Sequence, residues 1–429
     1  MDSKISRIIF TTDILREPHN KIKSGAINKN CLWFNTLFGS LIKEVSELPL
    51  IFYDFENLNN FAKELYRIYG FNEPLEETNW LEIYNQTEIK KEALELFRKY
   101  FENSLVFGFE LPQIFRRYFS EIGVIFIDII HHPIRYLDDL MHGFSTNNKE
   151  LYLKLMEYQV NPDIFKLVAT YSKTKTVMRN NNTNIIPNSC VIFGQTRVDR
   201  SILKKDNSLA NMLDYKDEII DLSKKYSHIY FKPHPANKDN KEVLTWFKNN
   251  IENFSLLQNI YTYDLYSNPN IALYASLSSG TLYEAKYFGN NIKYFYKQPF
   301  LYGEDFINKS IDEYNFEEVF VSLNKVYLTF EFWSNILSCI IKTKEKQHVK
   351  NLNLDNTLRY ALGAAWGYYD NHYLSIESKI KELETSNQKA LNIKNHLSYK
   401  LGNALIKAHK NWYKGGYIKF IFEAIKIKK

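Results

Sequence analysis

Short apolar runs and amphipathic stretches alternate along most of this chain. Ile8–Thr11, Leu50–Tyr53, Leu105–Phe109 and Val124–Ile130 read as strands. The last of them, VIFIDII, is an almost unbroken β-branched and aromatic run of the kind buried on both faces of a parallel sheet. Between them, 57–69 and 87–102 carry a helical period, and 148–178 reads as helix. The Asn-rich MRNNNTNIIPNS at 178–189 has no period and reads as a linker. A second alternating unit follows it, with strands at Cys190–Phe193, His228–Phe231, 270–275 and Ile292–Phe295 and helices at 211–225, 239–250 and 280–288. Further helices are expected over 316–345 and 355–370. Strands alternating with helices of this length predict βαβ units and an α/β fold. The breaks divide the chain into 1–180, 181–350, a helix within 351–375 that packs back on the body, and a charged helical tail over 376–429.

Composition changes this picture in two places. The net charge of +6 is uneven: residues 389–429 hold ten Lys and one Glu, so the rest is slightly acidic. A body with no basic stripe and no recognised module argues against a nucleic-acid partner. In the tail, Trp412, Tyr413, Tyr417, Phe420 and Phe422 stand among the lysines, as in helices that lie in the plane of an anionic membrane surface; a self-associating basic tail is the alternative. No run of 18 apolar residues occurs, and the opening MDSKISRIIF reads as carrying no secretory signal. Cys31, Cys190 and Cys339 are far apart and form no metal-binding pair, which fits a reducing compartment.

Three segments carry candidate chemistry, each just after a predicted strand: FGQTRVDRS at 193–201, FKPHP at 231–235 and SLSSGTLYEA at 276–285. Polar groups at successive strand ends of an open α/β sheet converge on one crevice. Ser278, Ser279, Gly280 and Thr281 open a helix, where free N–H groups and hydroxyls suit a phosphate, and Glu284 sits one turn on, placed for the hydroxyls of a nucleotide sugar. The same residues also make an ordinary helix cap with a capping box. His234, held between two prolines beside Lys232, suits phosphate binding or acid–base work; a strand-ending turn is the plain alternative. Gln195, Arg197 and Asp199 follow the first strand of the second unit. A carboxylate beside a phosphate site has either chemical work as a nucleophile or charge stabiliser, or a surface ion pair with Arg197 or Arg200. In the first unit, GFELP puts Glu110 at a strand end as a candidate base for an incoming hydroxyl. HHPIRYLDD offers His132, Arg135, Asp138 and Asp139 either to an acceptor or to a loop-ordering polar network.

The order GQ-x-x-x-D-x-S, K-P-H-P, S-S-x-x-x-x-E, with HPIRYLDD ahead of it, resembles the bacterial retaining β-Kdo transferases of capsule and lipopolysaccharide synthesis. The likeness covers roughly 100–300 and leaves out the tail. It implies two Rossmann-like domains facing a cleft in a GT-B-like arrangement, with CMP held mainly by the second. It implies a metal-independent transfer of a 2-keto sugar acid, Kdo, from its CMP-activated form to a glycan or glycolipid acceptor at the inner face of the cytoplasmic membrane. Asp199 would be the nucleophile, His234 would assist at the donor, and Glu110 would be the acceptor-side base. The HP and SS motifs also occur in inverting CMP-sialic-type transferases, which is the alternative activity, and a non-catalytic scaffold of polysaccharide assembly is a further one. Some relatives carry two such modules in tandem, whereas this sequence has one.

Overall fold

The computed structural model describes residues 5–16, 26–53, 55–71, 80–178, 184–235, 237, 240–258, 260–344, 358–359, 361–362 and 396–428. The chain forms two compact units, Met1–Leu362 and Gly363–Lys429.

The first unit is α/β and holds two sheets. The larger is built on β1 (Arg7–Thr12), β2 (Leu50–Phe52), β3 (Ser104–Phe109), β4 (Ile125–His131) and β5 (His142–Thr146). The smaller has β6 (Ser189–Phe193), β7 (His228–Lys232), β8 (Phe254–Leu256), β9 (Ile271–Ser276) and β10 (Ile292–Tyr294). Two late strands, β11 (Leu301–Tyr302) and β12 (Val319–Leu323), return to the larger sheet. Its order is β11-β12-β5-β4-β3-β1-β2, and that of the smaller is β10-β9-β6-β7-β8. All neighbours in the smaller sheet are parallel. In the larger, β2, β1, β3 and β4 are parallel, while β5 runs antiparallel to both β4 and β12.

Side chains of one strand point alternately to opposite faces, and in both sheets each face is covered by its own core. Ile8, Phe10, Leu105 and Phe107 pack with Trp333 and Phe38 on one side of the larger sheet. Ile9 and Val106 pack with Phe61, Phe97 and Phe115 on the other. In the smaller sheet Val191 and Phe193 enter one core, Cys190 and Ile192 the other. The core containing Val191 also takes Ile130, Ile134, Met141 and Phe320, so apolar packing runs from one sheet into the other. The three cysteines are unpaired and buried.

Four features differ from the sequence reading. The unit expected over 181–350 does not stay together, because β11 and β12 join the larger sheet. The helix expected over 316–345 holds strand β12 instead, followed by the helix Phe330–Leu337. VFVSL is β-branched and aromatic, and all five residues are buried between neighbours. The helix expected over 148–178 is two, Lys149–Met156 and Asp163–Met178, with Pro162 between them, where a helix cannot be continued from the residue before. Strand β5 and the helical stretch from Ala26 to Ser46, which includes a π-helical turn at Asn35–Gly39, had no expectation. Of the helix expected at 355–370, residues 358–359 and 361–362 are helical, and the rest lies outside the described residues, as does the tail from 376 to 395.

In the second unit, helices Leu397–Lys410 and Gly416–Lys428 pack together through Ala404, Ala408 and Gly416. Tyr417, Ile418, Ile421, Phe422 and Ile425 are exposed along one side of the last helix. No helix among the described residues is long and apolar enough to cross a membrane.

Candidate active site

The larger sheet supplies the first half of the site through two adjacent strand ends. Because β1 and β3 are neighbours, with Thr12 opposite Phe109, the residues just beyond them lie side by side. Asp13 and Arg16 follow β1, and Glu110 follows β3. Glu110 takes a left-handed backbone conformation, φ 52°, uncommon for a residue with a side chain. Arg16 donates to Glu110 Oε2 at 2.7 Å and stands 3.3 Å from Asp13 Oδ2. The guanidinium is only 12% exposed, Asp13 not at all, and Glu110 22%.

The smaller sheet joins this cluster through the loop after β6. Arg200 Nη1 donates to the carbonyls of Glu110, at 2.6 Å, and Leu111, at 3.2 Å. The preceding residue, Asp199, caps the short turn Arg200–Ile202 by accepting from Ser201 N at 2.8 Å. Asp199 acts electrostatically on both His234 and Arg16, so the two sheets' candidate groups share one local field.

That field sorts the carboxylates. Burial pushes Asp13 up to about 6, with Arg16 and Arg200 pulling the other way. Burial also acts upward on Glu110, but the charges of Arg16 and Arg200 and the hydrogen bond from Arg16 outweigh it and hold Glu110 below the usual range. Burial lowers His234, and the charge of Asp199 partly offsets this, so the imidazole is mainly neutral at pH 7.

The segments after β6, β7 and β9 converge as the parallel order β9-β6-β7 requires. At Gly194 a Cβ would lie 3.1 Å from the backbone N of His234, a tight contact, so glycine eases the close approach of the first two segments. Gln195 joins the first and third: Oε1 accepts from Ser278 N at 3.0 Å, and Nε2 donates to Ser201 Oγ at 2.8 Å and Ser278 O at 3.3 Å. Its amide is thereby engaged within the fold. Lys232 donates to Ile260 O at 2.8 Å. Ser279 caps the helix Gly280–Tyr287, accepting from Thr281 N and donating to Thr281 Oγ1. The hydroxyls of Ser276 and Ser278 are buried with no hydrogen-bond partner among the described residues, two donors left unspent near this turn. Arg197, on the exposed part of the first loop, lines with Gly194, Gln195, Asn211 and Asn240 a pocket of about 270 Å³.

The HHPIRYLDD segment lies against the third motif and is largely spent on order. A Cβ on Gly280 would come 2.9 Å from Pro133 Cβ. Glu284 accepts from Arg135 N at 2.7 Å and from the Tyr263 hydroxyl at 2.9 Å, and burial raises its carboxyl to about 7. His132 Nδ1 accepts from Ile134 N, which leaves Nε2 to donate to buried Glu304 at 3.0 Å. Asp139 turns inward and accepts from Leu140, Leu358 and Arg359 N, capping the helical residues after 357. Asp138 and the Arg135 side chain are exposed.

Sequence reasoning missed Asp13 and Arg16, and it saw Arg200 only as a partner for Asp199. The available signal was TTD directly after the first strand. The guanidinium of Arg200 instead fastens one sheet's loop to the other's strand end.

No curated protein matches the chain. The family described as a domain of unknown function (DUF8374) matches residues 375–429. Among solved structures, the chain is similar to a β-Kdo 2,7-transferase, KpsC, of Thermosulfurimonas dismutans, at 14% identity over 58% of this chain and 81% of that one, with a TM-score of 0.33. It is also similar to a β-Kdo 2,4-transferase KpsC of the same organism, at 12% identity over 44% and 67%, with a TM-score of 0.28. With TM-scores this low, the chemistry of the site rests on its own residues.

Proposed function

We propose that the chain is a GT-B-like glycosyltransferase that moves a 2-keto sugar acid, Kdo, from its CMP-activated form to a surface-glycan or glycolipid acceptor with retention of configuration. The supporting observation is that Arg200 fastens the loop carrying Asp199 to the strand end carrying the Arg16–Glu110 pair, with His234 in the field of the Asp199 charge. In the first step an Asp199 carboxylate oxygen attacks the anomeric carbon, the bond from that carbon to the phosphate oxygen breaks, and CMP leaves with the electron pair. His234 and the unspent hydroxyl of Ser278, beside the start of the helix Gly280–Tyr287, would meet the leaving phosphate where negative charge is favoured. No metal is needed for this step. In the second step the acceptor hydroxyl displaces Asp199 from the anomeric carbon and gives its proton to Glu110. Arg16 keeps Glu110 ionised but weakly basic.

Calorimetry with CMP alone tests the donor half. The wild-type chain is expected to bind CMP, and His234→Ala is expected to weaken binding about tenfold, the loss of one hydrogen bond to a charged group. Absence of CMP binding, or an affinity unchanged by the substitution, refutes the assignment and leaves the scaffold reading.

We also propose that the tail lies on an anionic membrane surface, the inner face of the bacterial cytoplasmic membrane. The exposed face of Tyr417, Ile418, Ile421, Phe422 and Ile425, with Lys419 and Lys426 on the same helix, supports this. Ile418→Glu with Phe422→Glu in the full chain is expected to reduce sedimentation with phosphatidylglycerol-containing vesicles more than about tenfold, since each buried side chain of this size contributes roughly 1.5–3 kcal/mol. Equal sedimentation refutes it.

A further inference from the structure

Next to the Arg16–Glu110 pair opens a pocket of about 310 Å³, lined among others by Leu111, Gln113, Arg116, Arg200, Lys297 and Phe300. Five separate segments build it: Tyr84 with Asn85, the chain just after Glu110, the loop after Asp199, the stretch from Lys297 to Leu301, and Glu318 with Phe320. Leu111 follows Glu110 and Arg200 follows Asp199 in the chain, so the pocket begins one residue from each proposed catalytic group, and its volume is at the small end for ligand sites, about one sugar unit.

Its charge is what singles it out. Arg116 is nearly buried, its guanidinium 5.0 Å from the Phe126 ring centroid and 5.7 Å from that of Phe320. It donates to Ser145 Oγ at 2.8 Å and to Glu317 O, and its closest carboxylate, Asp128, is 3.8 Å away. Arg200 lies 5.2 Å from the Phe300 ring and spends Nη1 on two carbonyls; it forms no ion pair among the described residues. The ammonium of Lys297 lies over the Tyr296 ring and, unlike its backbone N, which donates to Leu277 O, has neither ion pair nor hydrogen bond among the described residues. The pocket's one lining carboxylate is Glu318. Lys297 is exposed at the pocket rim, where partial loss of solvent lowers its ammonium and the charge of Arg200 lowers it further. The charge of Arg200 also acts to lower Arg116, whose burial works in the same direction. Like charges gathered in a cleft with unspent donors cost stability unless an anion arrives to meet them.

We propose that this pocket is the acceptor subsite and that it recognises an anionic group on the acceptor, a carboxylate or a phosphate ester, through Lys297 and the free edge of Arg200. This rests on the transferase reading above and adds what that reading leaves open, the chemical class of the acceptor. The ring of Phe300 and the side chain of Leu111 supply an apolar floor for a sugar face, and Gln113, at the start of the helix Gln113–Glu121, adds a neutral donor.

The test is binding of three probes to the full chain, followed by calorimetry: methyl glucuronide, glucose 6-phosphate and methyl glucoside, with CMP titrated separately into the same preparations. At least one acid probe is expected to bind at least about tenfold more tightly than the neutral glycoside, and which one does so distinguishes carboxylate from phosphate. Lys297→Ala, at an exposed position, is expected to remove that preference, Lys297→Arg to keep it, and CMP affinity to be unchanged in both. Equal binding of all three probes, or a preference that survives Lys297→Ala, overturns the proposal. CMP binding without acid preference sinks the subsite alone, and acid preference without CMP binding sinks the transferase reading alone.

Discussion

Asp199→Asn is expected to lower the rate of sugar transfer about 1000-fold or more, the scale of losing a covalent nucleophile. CMP affinity should stay within about threefold, since uncharged Asn leaves the phosphate contacts in place. Asparagine is the informative replacement because Asp199 has a structural duty as well. Its Oδ1 accepts from Ser201 N, and an Asn side-chain oxygen can accept the same bond, so the turn that carries Arg200 and Ser201 is kept. The wild-type chain mixed with donor and no acceptor should gain the mass of one sugar-acid residue on the peptide containing Asp199, and the variant should not. Retention of more than a tenth of the activity in Asp199→Asn would remove Asp199 from the chemistry and return it to the role of a turn cap.

Arg16→Leu is expected to destabilise the fold by about 3–5 kcal/mol, because removing one partner of a buried ionic group leaves the others uncompensated. Arg16 is the charge that Asp13 and Glu110 share, and Asp13 is fully buried. The loss should depend on pH with a definite sign. Without Arg16 both carboxyls are raised by burial, and a raised carboxyl favours the folded state most below its unfolded value and progressively less as pH rises through its folded value. Asp13 already stands at about 6 with Arg16 present. The variant should therefore come closest to wild type near pH 4 and fall furthest behind near pH 8, by urea unfolding at each pH. A loss below about 1 kcal/mol at pH 8 would mean that water enters the cluster and that Arg16 holds nothing together. Glu110→Gln with Arg16→Leu should recover part of the loss, since it removes one of the stranded charges.

The parts of this architecture legible in the sequence are those where one short segment decides its own structure. VIFIDII reads as a central strand because both of its faces are buried, and Ile125–His131 is one. The polar segments after Phe193, Lys232 and Ser276 were legible because strand-end chemistry follows directly on an apolar run. What the sequence left obscure depends on which strands become neighbours. Arg16 and Glu110 are far apart in the chain and meet because β1 lies beside β3. Strand β12 was obscured by polar residues of helical character on both sides, and pairing with His142–Thr146 and with Leu301–Tyr302 makes VFVSL a strand. Gln195 was read as a ligand contact, but its amide holds Ser201 and Ser278, a role that requires two sheet-end loops to be seen together. His132 and Asp139 follow the same rule: their partners, Glu304 and residues 358–359, come from the returning C-terminal part of the first unit.

The central claim is a double displacement at the anomeric carbon through Asp199. The most direct measurement is NMR of donor and product in one reaction, with the CMP-activated 2-keto sugar acid and an acidic glycan acceptor. The account predicts the same anomeric configuration in the product as in the donor. An inverted product contradicts it, as does the absence of any product across a set of CMP-activated sugar acids.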